Sequence, residues 1–247
     1  MNTYTTTEVA KIIGIHSNTV RMYEEWGLIP QAERKSNGYR VFTDFHIEQF
    51  RLARIAFKIE VLQNGLRKKV VEIIKFSANR DFDKALMFAE EYRSQIQQEQ
   101  KNAEEAIGIA KQILVGKSAE QAFFLKRKEV SEYLEISIDT LRNWERNGLL
   151  KVKRKQNGYR AYSGDDIERL KMIRTLRLAN YSLEAILRML NALEYNPQID
   201  MKQVLNTPQT DSDIVSVCDR LIVSLKDAEE NAEKMIIILL EMKEKFS

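Results

Sequence analysis

Two stretches of the chain carry basic, aromatic and glycine residues at the same spacing. The first runs from Thr19 to Arg40 and reads TVRMYEEWGLIPQAERKSNGYR, and the second runs from Thr140 to Arg160 and reads TLRNWERNGLLKVKRKQNGYR. Each contains a basic run that is closed by Asn-Gly-Tyr-Arg. Lysine and arginine neutralise phosphate groups, and a tyrosine hydroxyl can donate a hydrogen bond to a phosphate oxygen of a nucleic-acid backbone. The chemistry that this pattern favours is therefore contact with a polyanion.

The two stretches are copies of one another. Thr140 lies 121 positions after Thr19, and Arg160 lies 120 positions after Arg40, so one residue is deleted inside the second copy. A match of this length and order indicates an internal duplication. We therefore expect two related domains in one chain.

The residues around the first stretch have the pattern of two short helices joined by a turn. Thr5 and Glu8 form a capping-box pattern, and Gly14 ends the helix that they begin. A second helix is predicted over residues 17–26, with the inward-facing residues Val20, Tyr23 and Trp26. This order predicts a helix-turn-helix.

A charged hairpin is predicted to follow. Asn-Gly at residues 37–38, between extended flanks, is a strong hairpin signal. Thr43 or Asp44 then caps a third helix. Helix-turn-helix, hairpin and helix in this order describe a winged helix, and residues 126–178 repeat it, with Glu135 in place of the turn glycine.

Each winged segment is followed by a short helical segment and then by a long one with heptad spacing. The first stripe consists of Phe82, Ala85, Ala89, Tyr92, Ile96, Glu99, Ala103, Ala106, Ala110 and Ile113. The second consists of Ile214, Val217, Leu221, Leu225, Ala228, Ala232, Met235, Leu239, Met242 and Phe246. Such stripes are typical of helices that pair in a coiled coil. The small first stripe and the bulkier second stripe favour pairing within one chain; packing on each stripe's own head or on a second chain is the alternative.

The composition favours a soluble helical protein. The 247 residues include only three prolines and nine glycines, and the one cysteine forms no intrachain disulfide. No apolar run approaches the ~20 residues that span a bilayer, and the N-terminal MNTYTTTEVAK lacks a signal peptide's apolar segment. We expect a cytoplasmic protein, associated with the bacterial nucleoid, and no membrane partner.

The net charge of +3 is unevenly distributed. Residues 123–178 carry 14 Lys and Arg against 8 Asp and Glu, whereas residues 1–56 carry 7 against 6. The remainder of the chain is acidic. This asymmetry predicts a local contact with a polyanion, made mainly by the second copy.

On these residues the chain resembles the MerR family of transcription regulators. In that family T-x-R-x-Y/W-E lies on the recognition helix, Gly-Leu forms the next turn, and the wing ends in Gly-Tyr-Arg. The first copy matches with Thr19, Arg21, Tyr23, Glu24, Gly27, Leu28, Gly38, Tyr39 and Arg40. The second matches with Thr140, Arg142, Trp144, Glu145, Gly148, Leu149, Gly158, Tyr159 and Arg160. The likeness covers over half of the chain and occurs twice in the same order, which makes it specific.

The resemblance and the shape of the duplex together predict the DNA contacts. An α-helix fits the major groove, where its first-turn side chains reach base edges. The candidates on the recognition helices are Ser17, Asn18, Thr19, Arg21 and Met22, and then Ile138, Asp139, Thr140, Arg142 and Asn143. The candidates in the wings are Arg34, Lys35, Tyr39 and Arg40, and then Lys153, Arg154, Lys155, Tyr159 and Arg160. The wing cations suit phosphate groups.

Other residues of the repeats are predicted to be structural. Tyr23, Trp26 and Trp144 have the spacing of a buried helix face. Glu24 and Glu145 are expected to pair with nearby arginines, because a carboxylate beside a phosphate is unfavourable.

No metal, cofactor or catalytic site is predicted. Cys218 stands alone, far in sequence from His16 and His46, and is interpreted as a buried helix residue. We find no Ser-His-Asp arrangement, phosphate-binding glycine loop or paired-carboxylate site, so an enzyme is not expected. An inducer pocket would have to lie in the helical body, although core packing is the simpler role of its aromatic residues Phe76, Phe82, Phe88, Tyr92, Tyr181 and Tyr195.

The predicted fold is mostly α, with two winged helix-turn-helix domains, each followed by helical segments and a long coiled-coil-like helix. An internal pseudo-two-fold axis is expected to relate the halves. The limits are residues 1–75 for the first DNA-binding domain, 76–116 for its arm, 117–122 for a linker, 123–195 for the second DNA-binding domain and 196–247 for its arm.

The resemblance implies a transcription regulator that binds double-stranded promoter or operator DNA. Family members bind as two-fold dimers and distort an overlong promoter spacer so that RNA polymerase engages both promoter elements. Because this chain has two heads, we hypothesise that the monomer imitates that dimer and binds two unlike half-sites. Two alternatives stay open: an architectural or excisionase-like DNA-bending protein, and a helical protein-interaction scaffold.

Overall fold

The computed structural model describes residues 2–58, 65–116, 124–152, 160–207 and 217–247, with side chains in the last segment from Asp219 onward. The protein is mostly helical and has a small sheet, as predicted. Within these ranges, no helix combines the length and the apolar character needed to cross a membrane.

The described elements follow one another in two similar series. The first contains β1 (Thr3–Tyr4), α1 (Thr6–Ile13), α2 (Ser17–Glu25), β2 (Glu33–Arg34), β3 (Arg40–Thr43), α3 (Asp44–Ala56), α4 (Leu66–Ala78) and α5 (Phe82–Val115). The second contains α6 (Arg127–Tyr133), α7 (Ile138–Arg146), α8 (Gly164–Leu178), α9 (Leu183–Tyr195), α10 (Met201–Asn206), a 3₁₀ turn (Val217–Arg220) and α11 (Leu221–Phe246). We call β1 to α4 head 1, and α6 to α9 with the adjoining Leu125 head 2.

The chain forms two compact units. Unit 1 comprises Met1–Gln98 and Leu225–Ser247, and unit 2 comprises Glu99–Ser224. Each unit therefore combines one head with part of both long helices. The domain limits predicted in chain order stay a prediction.

Local caps define the helix-turn-helix of head 1. The Thr5 hydroxyl accepts a bond from the Glu8 N–H, and the Glu8 carboxylate accepts one from the Thr5 N–H at 2.7 Å, which is the predicted capping box. Gly14 ends α1 in the left-handed conformation, at a φ of 73°. The Nδ1 atom of His16 then accepts the Asn18 N–H at 3.2 Å and caps α2.

The wing of head 1 is a short antiparallel hairpin. Arg34 pairs with Arg40, and the Lys35 N–H donates to the Tyr39 carbonyl at 2.9 Å around the Asn-Gly tip. Gly38, at a φ of 82°, supplies the backbone conformation of that tip. The predicted hairpin is confirmed, and β1, which the sequence did not predict, pairs with the other side of β3 to give the order β1-β3-β2.

A buried amide joins the elements of head 1. Gln49 of α3 is fully buried, and its NH₂ group donates to the carbonyls of Leu28 at 3.0 Å and Ile74 at 2.8 Å. Its Oε1 atom accepts the Ser77 hydroxyl at 2.7 Å. These bonds tie the turn after α2 to both α3 and α4.

Head 2 repeats this framework. Leu125 forms an antiparallel bridge with Tyr162, as Tyr4 does with Phe42 in head 1. Glu135 takes over the turn from glycine and adopts a φ of 51°. This is a strained position for a residue that has a side chain.

The polar joint of head 2 uses different chemistry. The Nε atom of Arg169 donates to the Leu149 carbonyl at 2.6 Å, and its Nη1 atom lies 2.9 Å from a carboxylate oxygen of Glu194. Arg169 occupies the position in head 2 that Gln49 occupies in head 1, 120 residues earlier. Glu194 occupies the position of Ser77, because the two residues are 117 positions apart and so are the ends of α9 and α4. An ion pair thus replaces a neutral pair at the same joint.

The long helices contact each other inside unit 1. Asp83 of α5 lies 2.5 Å from the Nζ atom of Lys243, and Gln97 donates to Glu229 at 2.7 Å. The contacts move forward along α5 as they move back along α11, which is an antiparallel order. The stripe residues buried in this unit are Phe82, Ala85, Ala89, Tyr92, Ile96, Leu225, Ala228, Ala232, Met235, Leu239, Met242 and Phe246.

The prediction for Trp26 was wrong. Its side chain is 55% exposed, whereas Tyr23 and Trp144 are buried as predicted. Trp26 is the C-cap residue of α2 and keeps helical backbone angles, but the place that it faces is a recess, lined also by Phe57 and Val71, and is not filled by packing.

Some predicted features lie outside the described residues. These are the linker at 117–122, Ile214, and the side chains of Val217 and Cys218.

Candidate nucleic-acid interface

The recognition helix of head 1 presents a polar face to solvent. Val20 and Tyr23 anchor the opposite face, where the Tyr23 ring stacks on Phe50 at 5.4 Å between centroids. Among the predicted contact residues, Asn18, Arg21 and Met22 are exposed, and Ser17 and Thr19 are half-buried. The first turn of α2 is therefore accessible to a large ligand.

The wing of head 1 divides its predicted contacts into two kinds. Arg34, Lys35 and Tyr39 are exposed, and Tyr39 has 70% of its surface accessible. Arg40 is not free: its Nε atom lies 2.5 Å from Oε2 of Glu24. The same carboxylate accepts the Ala32 N–H at 3.0 Å. Glu24 and Arg40 thus hold the wing against α2.

The recognition helix of head 2 is anchored in the same way by Leu141 and Trp144. The residues Ile138, Asp139, Arg142 and Asn143 are exposed, and Thr140 is half-buried. The Asp139 carboxylate lies 2.9 Å from Nη1 of Arg142, one turn along the helix. This intrahelical pair partly neutralises the acidic group on that face.

The carboxylate of head 2 has more partners than its counterpart in head 1. Glu145 lies 2.8 Å from Arg127 and 3.2 Å from Arg160, and it accepts a hydrogen bond from the Tyr162 hydroxyl. Burial and the hydrogen bond to Glu145 raise the pKa of Tyr162 to about 12. The prediction that Glu24 and Glu145 pair with nearby arginines is confirmed.

Sequence reasoning missed Arg127 and Tyr162. The repeated motif contains neither, because head 1 has Thr6 and Phe42 at the corresponding positions. The replacement of Thr6 and Phe42 by these polar residues in the second copy was the sequence signal that could have revealed them.

The additional arginine, Arg127, lines a basic recess on head 2. It has a volume of about 470 Å³, and its lining residues are Arg127, Arg142, Arg146, Arg160, Asp139 and Glu145. Four guanidinium groups against two carboxylates give the recess a net positive charge, which suits an anion such as phosphate.

The remaining predicted contacts, Lys153, Arg154, Lys155 and Tyr159, lie outside the described residues. Within the described ranges, no group of three or more His, Cys, Asp or Glu side chains is arranged to hold a metal ion.

Comparison with known proteins finds a family match on both heads and related proteins that match part of the chain. A family model described as "MerR HTH family regulatory protein" matches residues 4–64 and 125–193. "HTH-type transcriptional regulator CueR" of Escherichia coli O6:H1 is 42% identical over 52 residues, which are 21% of this chain and 38% of that protein.

Two further relatives match over longer segments. A "Probable heavy metal-dependent transcriptional regulator" of Haemophilus influenzae is 36% identical over 77 residues, which are 31% of this chain and 59% of that protein. "HTH-type transcriptional regulator ZntR" of Escherichia coli K12 is 34% identical over 64 residues, which are 26% and 45% of the two chains. The chain thus spans 38–59% of the length of these relatives. No solved structure matches it.

Proposed function

The chain belongs to the MerR HTH family of regulatory proteins, and we propose that it is a transcription regulator that binds double-stranded DNA with both of its heads. The observation that carries the proposal is a repeated arrangement. In each head a recognition helix with an exposed polar face is held to the base of its wing by the same ion pair, Glu24–Arg40 or Glu145–Arg160.

The recognition helices would read the major groove. Asn18, Arg21 and Met22 are exposed in head 1, and Arg142 and Asn143 are exposed in head 2. Amide and guanidinium groups form paired hydrogen bonds to base edges, which gives them sequence information. The half-buried Ser17, Thr19 and Thr140 lie at the helix starts, near the phosphate backbone.

The wings would supply phosphate contacts. Arg34, Lys35 and Tyr39 extend into solvent from head 1, and the sequence of the second wing is more basic than that of the first. Arg40 and Arg160 serve in this proposal both as partners of the carboxylates and as phosphate ligands. A guanidinium group has five donors, so it can bond to both kinds of anion at once.

The binding unit would be a single chain. The antiparallel contacts of α5 with α11 in unit 1 support pairing of the long helices within the chain, as in a coiled coil. The two occurrences of the family match support one chain that does the work of a dimer. We assign a pseudo-two-fold relation to the two heads on this basis.

The two heads would prefer unlike half-sites. Asn18 corresponds to Asp139, and Met22 corresponds to Asn143, so the base-reading groups differ. Distortion of a promoter spacer, with RNA polymerase as the second partner, is the mechanism that the family suggests. The bending energy would come from the additional phosphate contacts on the bent duplex.

Two experiments test the proposal. Selection of binding sites from random DNA should yield asymmetric sites in a fixed order, whereas strict palindromes would contradict unlike half-sites. The mass of the complex in solution should correspond to one chain per site. Absence of any salt-sensitive DNA affinity would sink the DNA-binding function itself.

A further inference from the structure

We propose that the basic recess on head 2 binds one backbone phosphate of the duplex and that head 1 lacks this site. Head 2 then anchors the protein on DNA, and head 1 contributes less of the affinity. The inference rests on the DNA-binding function proposed above and adds to it an unequal division of work between the heads. It is carried by a difference in charge at matching positions of the two copies.

The recess brings together side chains from three segments of head 2. Arg127 begins α6, Arg160 lies at the base of the wing, and the other lining residues lie on the recognition helix α7. Four arginines there stand against two carboxylates, whereas two arginines stand against two carboxylates at the matching positions of head 1, so the net charge is +2 in head 2 and zero in head 1. The matching residues, which lie 121 positions earlier or 120 in the wing, are Thr6, Asn18, Arg21, Glu24, Glu25 and Arg40.

Arg146 makes the largest single contribution to this difference. It replaces Glu25, which changes the charge at that position by two units. Arg146 is exposed, and it has no hydrogen-bond or ion-pair partner among the described residues. The Asp139 carboxylate pairs with Arg142 at 2.9 Å, but 87% of its side chain is exposed, so water screens this pair and a phosphate can compete for the arginine.

Arg127 leaves the wing arginine of head 2 more available. Its Nη2 atom donates to both oxygens of Glu145, at 2.8 Å and 3.2 Å. Arg160 lies 3.2 Å from the same carboxylate and has a side chain that is 33% exposed, whereas the corresponding distance of Arg40 in head 1 is 2.5 Å and its side chain is 20% exposed. Because Arg127 already compensates the charge of Glu145, Arg160 can turn to a second anion.

The place and the chemistry of the recess suit a backbone phosphate. Guanidinium groups present several N–H donors in a fixed plane, which matches the oxygens of a phosphate. The recess lies between the recognition helix and the base of the wing. When that helix occupies the major groove, the strand that borders the groove passes this point and offers its phosphates to it. The volume of about 470 Å³ leaves room for a phosphodiester and the adjoining sugar.

The test measures the affinity of the full chain for its selected duplex while one phosphate at a time is replaced by an uncharged methylphosphonate. One such replacement in one half-site should weaken binding about tenfold, because it removes charge-assisted hydrogen bonds. The matching replacement in the other half-site should weaken binding by about twofold at most. Arg146→Ala should abolish the large effect and make the salt dependence shallower by about 1.

Lys101→Ala is the matched control, because it removes one exposed cation from α5, and it should keep the large effect. Arg127→Thr, which gives head 2 the residue of head 1, should act as Arg146→Ala does. Urea unfolding checks that both variants fold, and if Arg127→Thr does not, the exposed Arg146 decides alone.

The proposal is overturned if no replacement has an effect that depends on Arg146, or if matching replacements in the two half-sites weaken binding equally. Either result would leave the regulator function standing, since the chain would still bind DNA. Only a chain without salt-sensitive affinity for any duplex would refute that function as well.

Discussion

The Nε atom of Arg40 lies 2.5 Å from Oε2 of Glu24, so one ion pair joins the wing of head 1 to its recognition helix. Both side chains are largely shielded from solvent. Replacement of Arg40 therefore changes the folded head as well as any contact with phosphate. Its two roles must be separated by measuring stability and DNA affinity in parallel.

Arg40→Ala should lower the free energy of unfolding by about 2 kcal/mol, because it leaves the shielded Glu24 carboxylate without its cation. Urea unfolding at neutral pH measures this loss. Arg34→Ala is the matched control, since Arg34 is exposed, and its effect should stay within about 0.5 kcal/mol. Equal effects of the two variants would refute a structural role for the pair.

Arg34→Ala combined with Lys35→Ala should flatten the salt dependence of DNA binding. Each phosphate that is no longer neutralised by a basic side chain reduces the slope of log K against log salt by about 0.9. The slope of the double variant should therefore be shallower by about 2, and its binding to all sequences should weaken alike. Lys101→Ala, an exposed charge change on α5, should keep the slope. If the double variant keeps the slope of the unmodified protein, this wing does not contact the phosphates of the DNA.

Gln49→Leu should lower the free energy of unfolding by about 3 kcal/mol, because it leaves buried polar groups of Leu28, Ile74 and Ser77 without partners. Thermal or urea unfolding measures the change. Ser77→Ala removes one of these bonds and should cost about 1 kcal/mol. An unchanged free energy of unfolding in Gln49→Leu would show that water replaces the lost bonds to Leu28, Ile74 and Ser77.

Tyr162→Phe should lower stability by about 1 kcal/mol at neutral pH, because Glu145 loses a hydrogen bond. The pKa of Tyr162 is raised from 10.0 to about 12 in the folded protein. Its contribution to stability is therefore complete below pH 10 and is lost as the pH rises from 10 towards 12.

The variant should accordingly show a shallower alkaline decline than the unmodified protein in unfolding experiments across that range. Tyr92, whose pKa burial also raises to about 12, remains in both proteins and cancels in the comparison. Parallel alkaline curves would mean that neither burial nor Glu145 raises the pKa of Tyr162 in the folded protein.

Much of head 1 was predictable because its signals are local. The capping box of Thr5 and Glu8, the turn at Gly14 and the Asn-Gly hairpin depend on residues within a few positions of each other. Trp26 was misplaced because helical spacing shows which face a residue lies on, whereas its exposure depends on whether distant segments such as Phe57 and Val71 pack over that face. Strand β1 was missed because its two residues owe their structure to β3, far along the chain.

The candidate interface was predictable in part. The exposure of Asn18 and Arg21 follows from helix periodicity, and that of Lys35 follows from its place beside the tip of the hairpin. The role of Arg127 depends on a carboxylate that only the fold brings near. None of the six aromatic residues considered for an inducer pocket lines the cavity of about 840 Å³ at the ends of α5 and α9. Helix periodicity predicts which side chains pack together, but it does not predict where packed elements leave a gap.

The carbonyls of Leu28 and Leu149 are capped by a neutral glutamine in one head and by an arginine in the other. A chimeric chain that joins α3 of the first half to α9 of the second sets Gln49 against Glu194 and loses the match. Recombination between the two halves of the gene, which would shorten it to a single head, produces this mismatch whenever the crossover falls between those helices. The two halves therefore satisfy the same carbonyl with polar partners that no longer interchange helix for helix.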